Sequence, residues 1–163
     1  MKMKPVLLIA SLLTAVPAFA AEQLYLDRLA DTNICHHCNL TDADLQGKDL
    51  NSADLSEALL KGINLSKAQL VGAWFTHSRV QNAHFDNADL STALMDNADF
   101  TGASFKGANL TNAKLNFSDL TNVDLSDAIL VDTELRGVTF CNTTMSDGKI
   151  NNEGCSASEP ASK

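Results

Sequence analysis

Hydrophobic residues recur at every fifth position over most of this chain. From Leu40 to Ile150, the 23 positions at this interval hold 14 Leu, five Phe, two Met, one Val and one Ile. The residue two places earlier is usually Ala, and the residue directly before is often Asp or Asn. The unit is therefore A-(D/N)-(L/F)-x-x, and it continues without insertion or deletion. We call the Leu or Phe of each unit its central residue.

A period of five predicts neither a helix nor a flat strand. On an α-helix, residues five apart differ by about 140° in direction, so the central residues would spiral around every face. On a strand, an odd interval places successive central residues on opposite faces. The chain must instead turn a corner at each unit. Four units then form a four-sided coil of twenty residues, and stacked coils bury the central residues and the alanines.

This register predicts which residues lie on one column of the core. One column runs at intervals of twenty from Leu50 to Ile150. Lys48 occupies an inward position normally held by Ala, so we expect it near the open first coil with its amine in water.

The run from 40 to 150 resembles the pentapeptide-repeat family, and the flanks resemble it as well. Residues 35–40 (CHHCNL) are similar to a frequent lead-in of that family, and residues 140–148 followed by Cys155 are similar to a recurrent ending. The resemblance implies an all-β solenoid, namely a right-handed quadrilateral parallel β-helix, which we expect over residues 35–150.

The segments outside this run predict an exported chain with capped ends. Residues 1–20 have the basic start, apolar run and A-x-A site of a signal peptide, with cleavage near Ala20–Ala21. Residues 21–34 are expected to cap the first coil on a short amphipathic turn or helix. Its apolar residues are Leu24, Leu26, Leu29 and Ala30. Residues 151–163 are expected to form an end segment and a largely disordered tail, with 156–163 disordered.

The net negative charge of the chain makes some classes of function less favourable. The net charge is −8, and it becomes −10 without the two lysines of the first 20 residues. An acidic surface disfavours nucleic-acid binding, which needs basic residues at phosphates. The apolar run near the N-terminus is too short to span a bilayer. We expect a periplasmic or secreted protein that neither binds nucleic acid nor inserts into a membrane.

The four cysteines favour disulfides in an oxidising compartment. Cys141 and Cys155 are expected to pair and close the C-terminal end. Two alternatives remain for Cys35 and Cys38. They either form a disulfide with each other or are buried as apolar residues in the repeat register.

Residues 35–38 have the sequence C-H-H-C, and these residue types could belong to a metal or redox site. Four adjacent ligands can seldom all face one zinc ion, and no second ligand pair lies at the usual spacing. His77 and His84 are isolated, and the repeat dictates the spacing of the acidic residues. We expect no catalytic residues, no cofactor and no metal.

The position directly before the central residue should be polar, but it is apolar in four units, at Leu59, Trp74, Leu94 and Ile129. Trp74 and Leu94 lie twenty apart directly before central residues, and Phe117 lies on the same side one coil further on. They form a candidate contact patch, although each side chain could instead pack against its own wall.

Together these features predict a non-catalytic exported binding or scaffold module that works through its rigid acidic surface. Its partner would be an unknown envelope protein or a second copy of the chain. The alternative is a DNA mimic that inhibits or protects DNA gyrase, as the resemblance implies for some members. The signal peptide disfavours that alternative, because gyrase lies in another compartment.

Overall fold

The computed structural model describes residues 18–155, with side chains from Gln23 onward. Helix α1 spans Ala18–Thr32, strand β1 spans Thr143–Thr144 and strand β2 spans Ile150–Asn151. Repeated coils connect α1 to β1. The predicted signal peptide lies outside the described residues except for its last three, which begin α1, and so does the tail from 156 to 163. Within the described part, none of the helical structure has the length and apolar character to cross a bilayer.

Neighbouring coils pair in parallel at an interval of twenty residues. The first such bridge joins Ile34 to Asp54, and the last joins Asp124 to Thr144. Each bridge lies directly before a central residue, so every side of the coil contributes one rung per turn. The twenty-residue, four-sided coil predicted from the sequence is therefore confirmed.

The core follows the five-residue pattern closely. Every central residue from Leu40 to Leu125 is buried, and so are most of the small residues two places earlier. Phe85 and Phe105, which are twenty apart, stack with ring centroids 4.6 Å apart and an interplanar angle of 3°. Lys48 is exposed, as predicted for an inward position near the first coil.

Where Asp or Asn stands directly before a centre, its side chain supports the corner that follows. Asp89 shows it clearly, because its Oδ1 accepts a hydrogen bond from the backbone N–H of Ser91 at 3.0 Å. The residue two places after the centre adopts a left-handed conformation, as at Asn87 with φ 57°. Asn, Asp and Gly are the residues that tolerate this conformation best. The repeat therefore encodes both the core and the corners.

Helix α1 covers the N-terminal end through two of the four residues predicted to do so, Leu26 and Leu29. Leu29 is buried, and Tyr25 and Leu26 pack partly against the core. Leu24 is 66% exposed and Ala30 is also exposed, so their predicted contact with the coil is wrong. Tyr25 lies four residues before Leu29 on one helical face, whereas Leu24 lies off that face.

Asn33 ends α1 and joins it to the first coil. Its φ is 58°, and its backbone N–H donates to the carbonyl of Leu29 at 2.9 Å, which is the αL form of helix cap. The carbonyl of Asn33 accepts from the N–H of Asp54 at 2.9 Å. The cap is thus hydrogen-bonded into the ladder that follows.

The C-terminal end departs from the predicted register. Ile150 was predicted to lie in a core column, but it is 53% exposed. Strands β1 and β2 pair antiparallel, and the N–H of Met145 donates to the carbonyl of Lys149 at 2.8 Å. Gly148, at φ 79°, lies in the connecting turn. The chain folds back instead of starting another coil, and this turns Ile150 out of the core.

Candidate functional site

The residues of the candidate contact patch occupy one side of the solenoid. Trp74 and Leu94 form a parallel bridge on adjacent coils, and Trp74 is 47% exposed while Leu94 is half-buried. The backbone N–H groups of both donate to the preceding coil at 2.9 Å. These bonds hold the two side chains on a fixed support. The structure brings Trp74 and Leu94 together.

Trp74 stands where other units carry a structural acceptor. In the preceding coil, Asp54 accepts a hydrogen bond from the N–H of Ser56 at 3.0 Å. Tryptophan has no side-chain oxygen, so Trp74 cannot give the same support to the corner at Thr76. The fold therefore does not require an indole here.

Phe117 packs against its own side of the solenoid. It lies two coils from Trp74, about 10 Å further along the axis at the usual strand spacing. It is 57% exposed and adopts φ 61°. A Cβ added at Gly137 would lie only 2.6 Å from Cδ1 of Phe117, so the ring lies over that glycine. The guanidinium carbon of Arg136 is 5.4 Å from the ring centroid. Phe117 thus borders the Trp74–Leu94 pair as a wall-packed aromatic.

Two further apolar residues share the repeat position of Trp74. Leu59 is 38% exposed and Ile129 is 49% exposed. They lie on other sides of the coil, because their numbers do not differ from 74 by a multiple of twenty. Ile129 is therefore a natural reference for Trp74, with the same exposure and position but a different side.

The acidic walls contain carboxylates that are held by nearby partners. Burial acts to raise the pKa of Asp124, but hydrogen bonds from Ser126 and the ion pair with Lys106 outweigh it and hold that pKa below its usual value. The Lys106 Nζ to Asp124 Oδ2 distance is 3.1 Å. A hydrogen bond from Asn116 and the nearby Lys114 likewise lower the pKa of Glu134. The charges of Asp124 and Glu134 are thus held by neighbours on the wall itself.

Both cysteine pairs form disulfides. Cys35 and Cys38 are joined with a Cα–Cα distance of 5.2 Å, and Cys141 and Cys155 with 4.7 Å. The first bridge lies where α1 meets the first coil, and Cys35 Sγ is 3.5 Å from the carbonyl oxygen of Tyr25. The second bridge ties the returning C-terminal segment to the last coil. Each bridge therefore reinforces one end of the solenoid.

His77 and His84 were predicted to be isolated, and both are exposed, but His77 lines an open recess together with His37 and Glu57. The two histidines of C-H-H-C, in contrast, have a charged neighbour, because His36 and His37 both lie close to the carboxylate of Glu57 on the next coil. The sequence of residues 35–38 alone does not reveal this carboxylate. The coil register could have found it, because Glu57 lies twenty residues after His37.

Comparison with known proteins agrees with this geometry. The family described as pentapeptide repeats matches eight copies, over residues 38–80, 75–112 and 108–147. No curated protein matches the chain.

Solved structures also match. The pentapeptide repeat protein Rfr23 from the cyanobacterium Cyanothece 51142 is 24% identical, with a TM-score of 0.70, over 71% of this chain and 92% of that one. HetL, from the cyanobacterium Nostoc sp. strain PCC 7120 and involved in heterocyst differentiation regulation, is 26% identical with a TM-score of 0.45. That match covers 72% of this chain and 57% of HetL.

The likeness to Rfr23 concerns the fold, and it confirms the right-handed quadrilateral β-helix predicted from the sequence. The family match covers well over half of the chain, at the same five-residue interval that builds the core. This protein belongs to the pentapeptide-repeat family.

Proposed function

We propose that the protein is an exported, non-catalytic binding module whose contact surface is the side that carries Trp74, Leu94 and Phe117. The observation that carries the proposal is the 47% exposure of Trp74 on a hydrogen-bonded coil. The family context supports it, because pentapeptide-repeat proteins are generally scaffold or binding proteins.

The physical argument rests on the rigidity of the support. A side chain on a stiff backbone loses little conformational entropy when a partner covers it. Tryptophan is also enriched among interface residues that contribute most to affinity, because it buries a large area with few rotatable bonds. Leu94, paired beside Trp74, extends the apolar area along the axis. Phe117 adds an aromatic face at the next corner.

Two features of the chain that favour export also support an envelope setting for the contact. The first 20 residues carry the features of a signal peptide, and both disulfides require an environment in which thiols stay oxidised. The partner in this proposal is an envelope protein or a second copy of the chain.

The test replaces Trp74 with the residue type that the repeat itself prefers. Trp74→Asn supplies an oxygen for the Thr76 N–H, so the fold should keep its melting temperature. Ile129→Asn makes the same kind of change at the same repeat position on another side. Sedimentation velocity and pull-down from envelope extract would be measured for the wild type and both variants.

We expect Trp74→Asn to weaken association by about 2 kcal/mol or more and Ile129→Asn to leave it unchanged. A lowered melting temperature for Trp74→Asn with unchanged association would overturn the proposal, because it would show that the indole only packs on its own wall.

A further inference from the structure

A cluster of metal-binding side chain types lies near the N-terminal end of the solenoid, at the corner that follows the Trp74 side. His36 Nε2 is 3.4 Å from Glu57 Oε1, and His37 Nδ1 is 3.5 Å from Glu57 Oε2. The ligand atoms of the three residues all lie within 4.8 Å of one another. The imidazole centroids of His36 and His37 are 3.8 Å apart. Three groups that bind metals are thus gathered around one point.

The fold holds this cluster in place through the backbone. His37 and Glu57 occupy equivalent corners of adjacent coils, with φ values of 60° and 56°. The N–H of His37 donates to the carbonyl of Ser56 at 3.2 Å, and the N–H of Glu57 donates to the carbonyl of Thr76 at 3.0 Å. The coil ladder therefore fixes the spacing between the backbones of His37 and Glu57.

The disulfide between Cys35 and Cys38 constrains the two histidines that it encloses. Successive side chains of an extended strand point to opposite faces. The left-handed conformation at His37 breaks that alternation, and the neighbouring rings meet at one side of the loop. The bridge also occupies both sulfur atoms, so the ligands on offer are two imidazole nitrogens and a carboxylate.

Each imidazole nitrogen lies at about the ligand spacing of a tetrahedral ion from one of the two oxygens of Glu57. With metal–ligand bonds of about 2.0–2.1 Å, two ligand atoms of a tetrahedral site lie about 3.3 Å apart. The distances of 3.4 and 3.5 Å are close to that value. Imidazole and carboxylate ligands suit Zn²⁺ and similar divalent transition metals.

We propose that His36, His37 and Glu57 bind one divalent transition-metal ion, with zinc as the reference metal. The ligands are Nε2 of His36, Nδ1 of His37 and the Glu57 carboxylate. His77 lines the same open recess as His37 and Glu57 but is not among the three residues whose ligand atoms lie within 4.8 Å of one another. Water completes the coordination where a position stays open.

The surroundings indicate a site for reversible binding. The side chains of His36, His37 and Glu57 are 39%, 60% and 49% exposed, so an ion can enter directly from solvent. Arg79 lines the same recess, and its positive charge opposes a cation. The site is therefore suited to an ion that exchanges with solution.

The test uses tag-free, full-chain protein whose disulfides have been verified by mass spectrometry, because reduced cysteines would bind zinc themselves. Isothermal titration with Zn²⁺ would compare the wild type with His37→Gln and Glu57→Gln. His84→Gln is the matched control, since His84 is also exposed but lies on another side of the coil. Far-UV circular dichroism would verify that each variant is folded.

We expect one Zn²⁺ per chain, a loss of at least tenfold in affinity for both site variants, and no change for His84→Gln. Zn²⁺ should also raise the melting temperature of the wild type more than that of Glu57→Gln. NMR of the wild-type histidine rings during the titration would locate the ion without any substitution. Absence of binding at millimolar Zn²⁺, equal affinity in Glu57→Gln, or shifts centred on His84 would overturn the proposal.

Discussion

Asp89 and Leu90 are adjacent in the chain but serve opposite sides of the solenoid wall. Leu90 is fully buried in the core, whereas Asp89 accepts hydrogen bonds outside from the Ser91 N–H and from Nδ2 of Asn109, both at 3.0 Å. This division of roles is repeated in most units. A substitution should therefore have a very different effect on stability at two positions that are adjacent in the chain.

Leu90→Ala should therefore lower the free energy of unfolding by about 2–5 kcal/mol, because it leaves a cavity in a closely packed column. Ala88→Leu should cost about 1–3 kcal/mol by overpacking the same layer. Asp89→Asn keeps the Oδ1 acceptor and should change little. Urea unfolding of the three variants gives the comparison. If Asp89→Asn were as harmful as Leu90→Ala, the assignment of inward and outward residues would be wrong.

The core could be predicted from the sequence because a strict period of five permits few ways to bury the central residues. Ile150 is an exception, because it is exposed. It keeps the interval, but the turn from Met145 to Lys149 closes a hairpin whose hydrogen bonds replace those of another coil. The interval describes which side a residue would face in a coil and says nothing about where coiling stops.

Contacts between coils were harder to predict than positions within one coil. The sequence left open whether Phe117 is free for contact or packs against its own wall, and the structure shows its ring over Gly137 of the next coil. Glu57 was not connected with His36 and His37, which it contacts across the first coil boundary. Both relations follow from an interval of twenty combined with side-chain directions, and the sequence alone supplies only the interval.

The disulfide at the C-terminal end should contribute strongly to stability. Cys141 and Cys155 are 14 residues apart, and a closed loop of this length stabilises by about 3 kcal/mol on the chain-entropy model. The Cys141→Ala/Cys155→Ala variant should lose about that amount in urea unfolding. Cys35→Ala/Cys38→Ala, which opens a much shorter loop, should lose less. Equal stability of the first variant and the wild type would contradict this expectation.

Export can be examined directly on protein from the producing cell. N-terminal sequencing should find a start at Ala21 or within a residue or two of it, because A-x-A sites are cleaved after the second small residue. Soluble cytoplasmic protein with an intact Met1 would contradict export. It would also remove the strongest objection to the DNA-mimic alternative.

Acid should weaken the fold in part through Asp124. Its pKa is lowered in the folded state, so the unfolded chain binds more protons than the folded chain at pH values below about 4. The stabilisation is complete above the unfolded pKa and is lost as the pH falls through the folded pKa. Asp124→Asn keeps the acceptor for Ser126 but not the charge beside Lys106.

The difference in stability between the wild type and Asp124→Asn should therefore be under about 1 kcal/mol at pH 7 and should shrink as the pH falls below about 4. Urea midpoints at pH 7, 4 and 2 measure it. A difference that stays constant over this range would show that the charge of Asp124 does not contribute.

Gly137 and Gly47 allow the packing of Phe117 to be separated from backbone strain. Both glycines have φ 67°, so an alanine at either site is held in the left-handed conformation at a cost of about 1–2 kcal/mol. A Cβ at Gly47 meets nothing within 4 Å, whereas a Cβ at Gly137 would lie 2.6 Å from the Phe117 ring. Only Gly137→Ala forces an aromatic ring to move.

Gly137→Ala should consequently destabilise the protein by about 1–3 kcal/mol more than Gly47→Ala does. In a Phe117→Ala background, the cost of Gly137→Ala should fall to that of Gly47→Ala, because the clashing ring is gone. Urea unfolding of the two single variants and the double variant measures both quantities, and the coupling between 117 and 137 isolates the contact. Equal costs for the two glycines in the wild-type background would mean that the ring of Phe117 moves aside freely. Phe117 would then be a mobile part of the surface beside Trp74 instead of a fixed border to it.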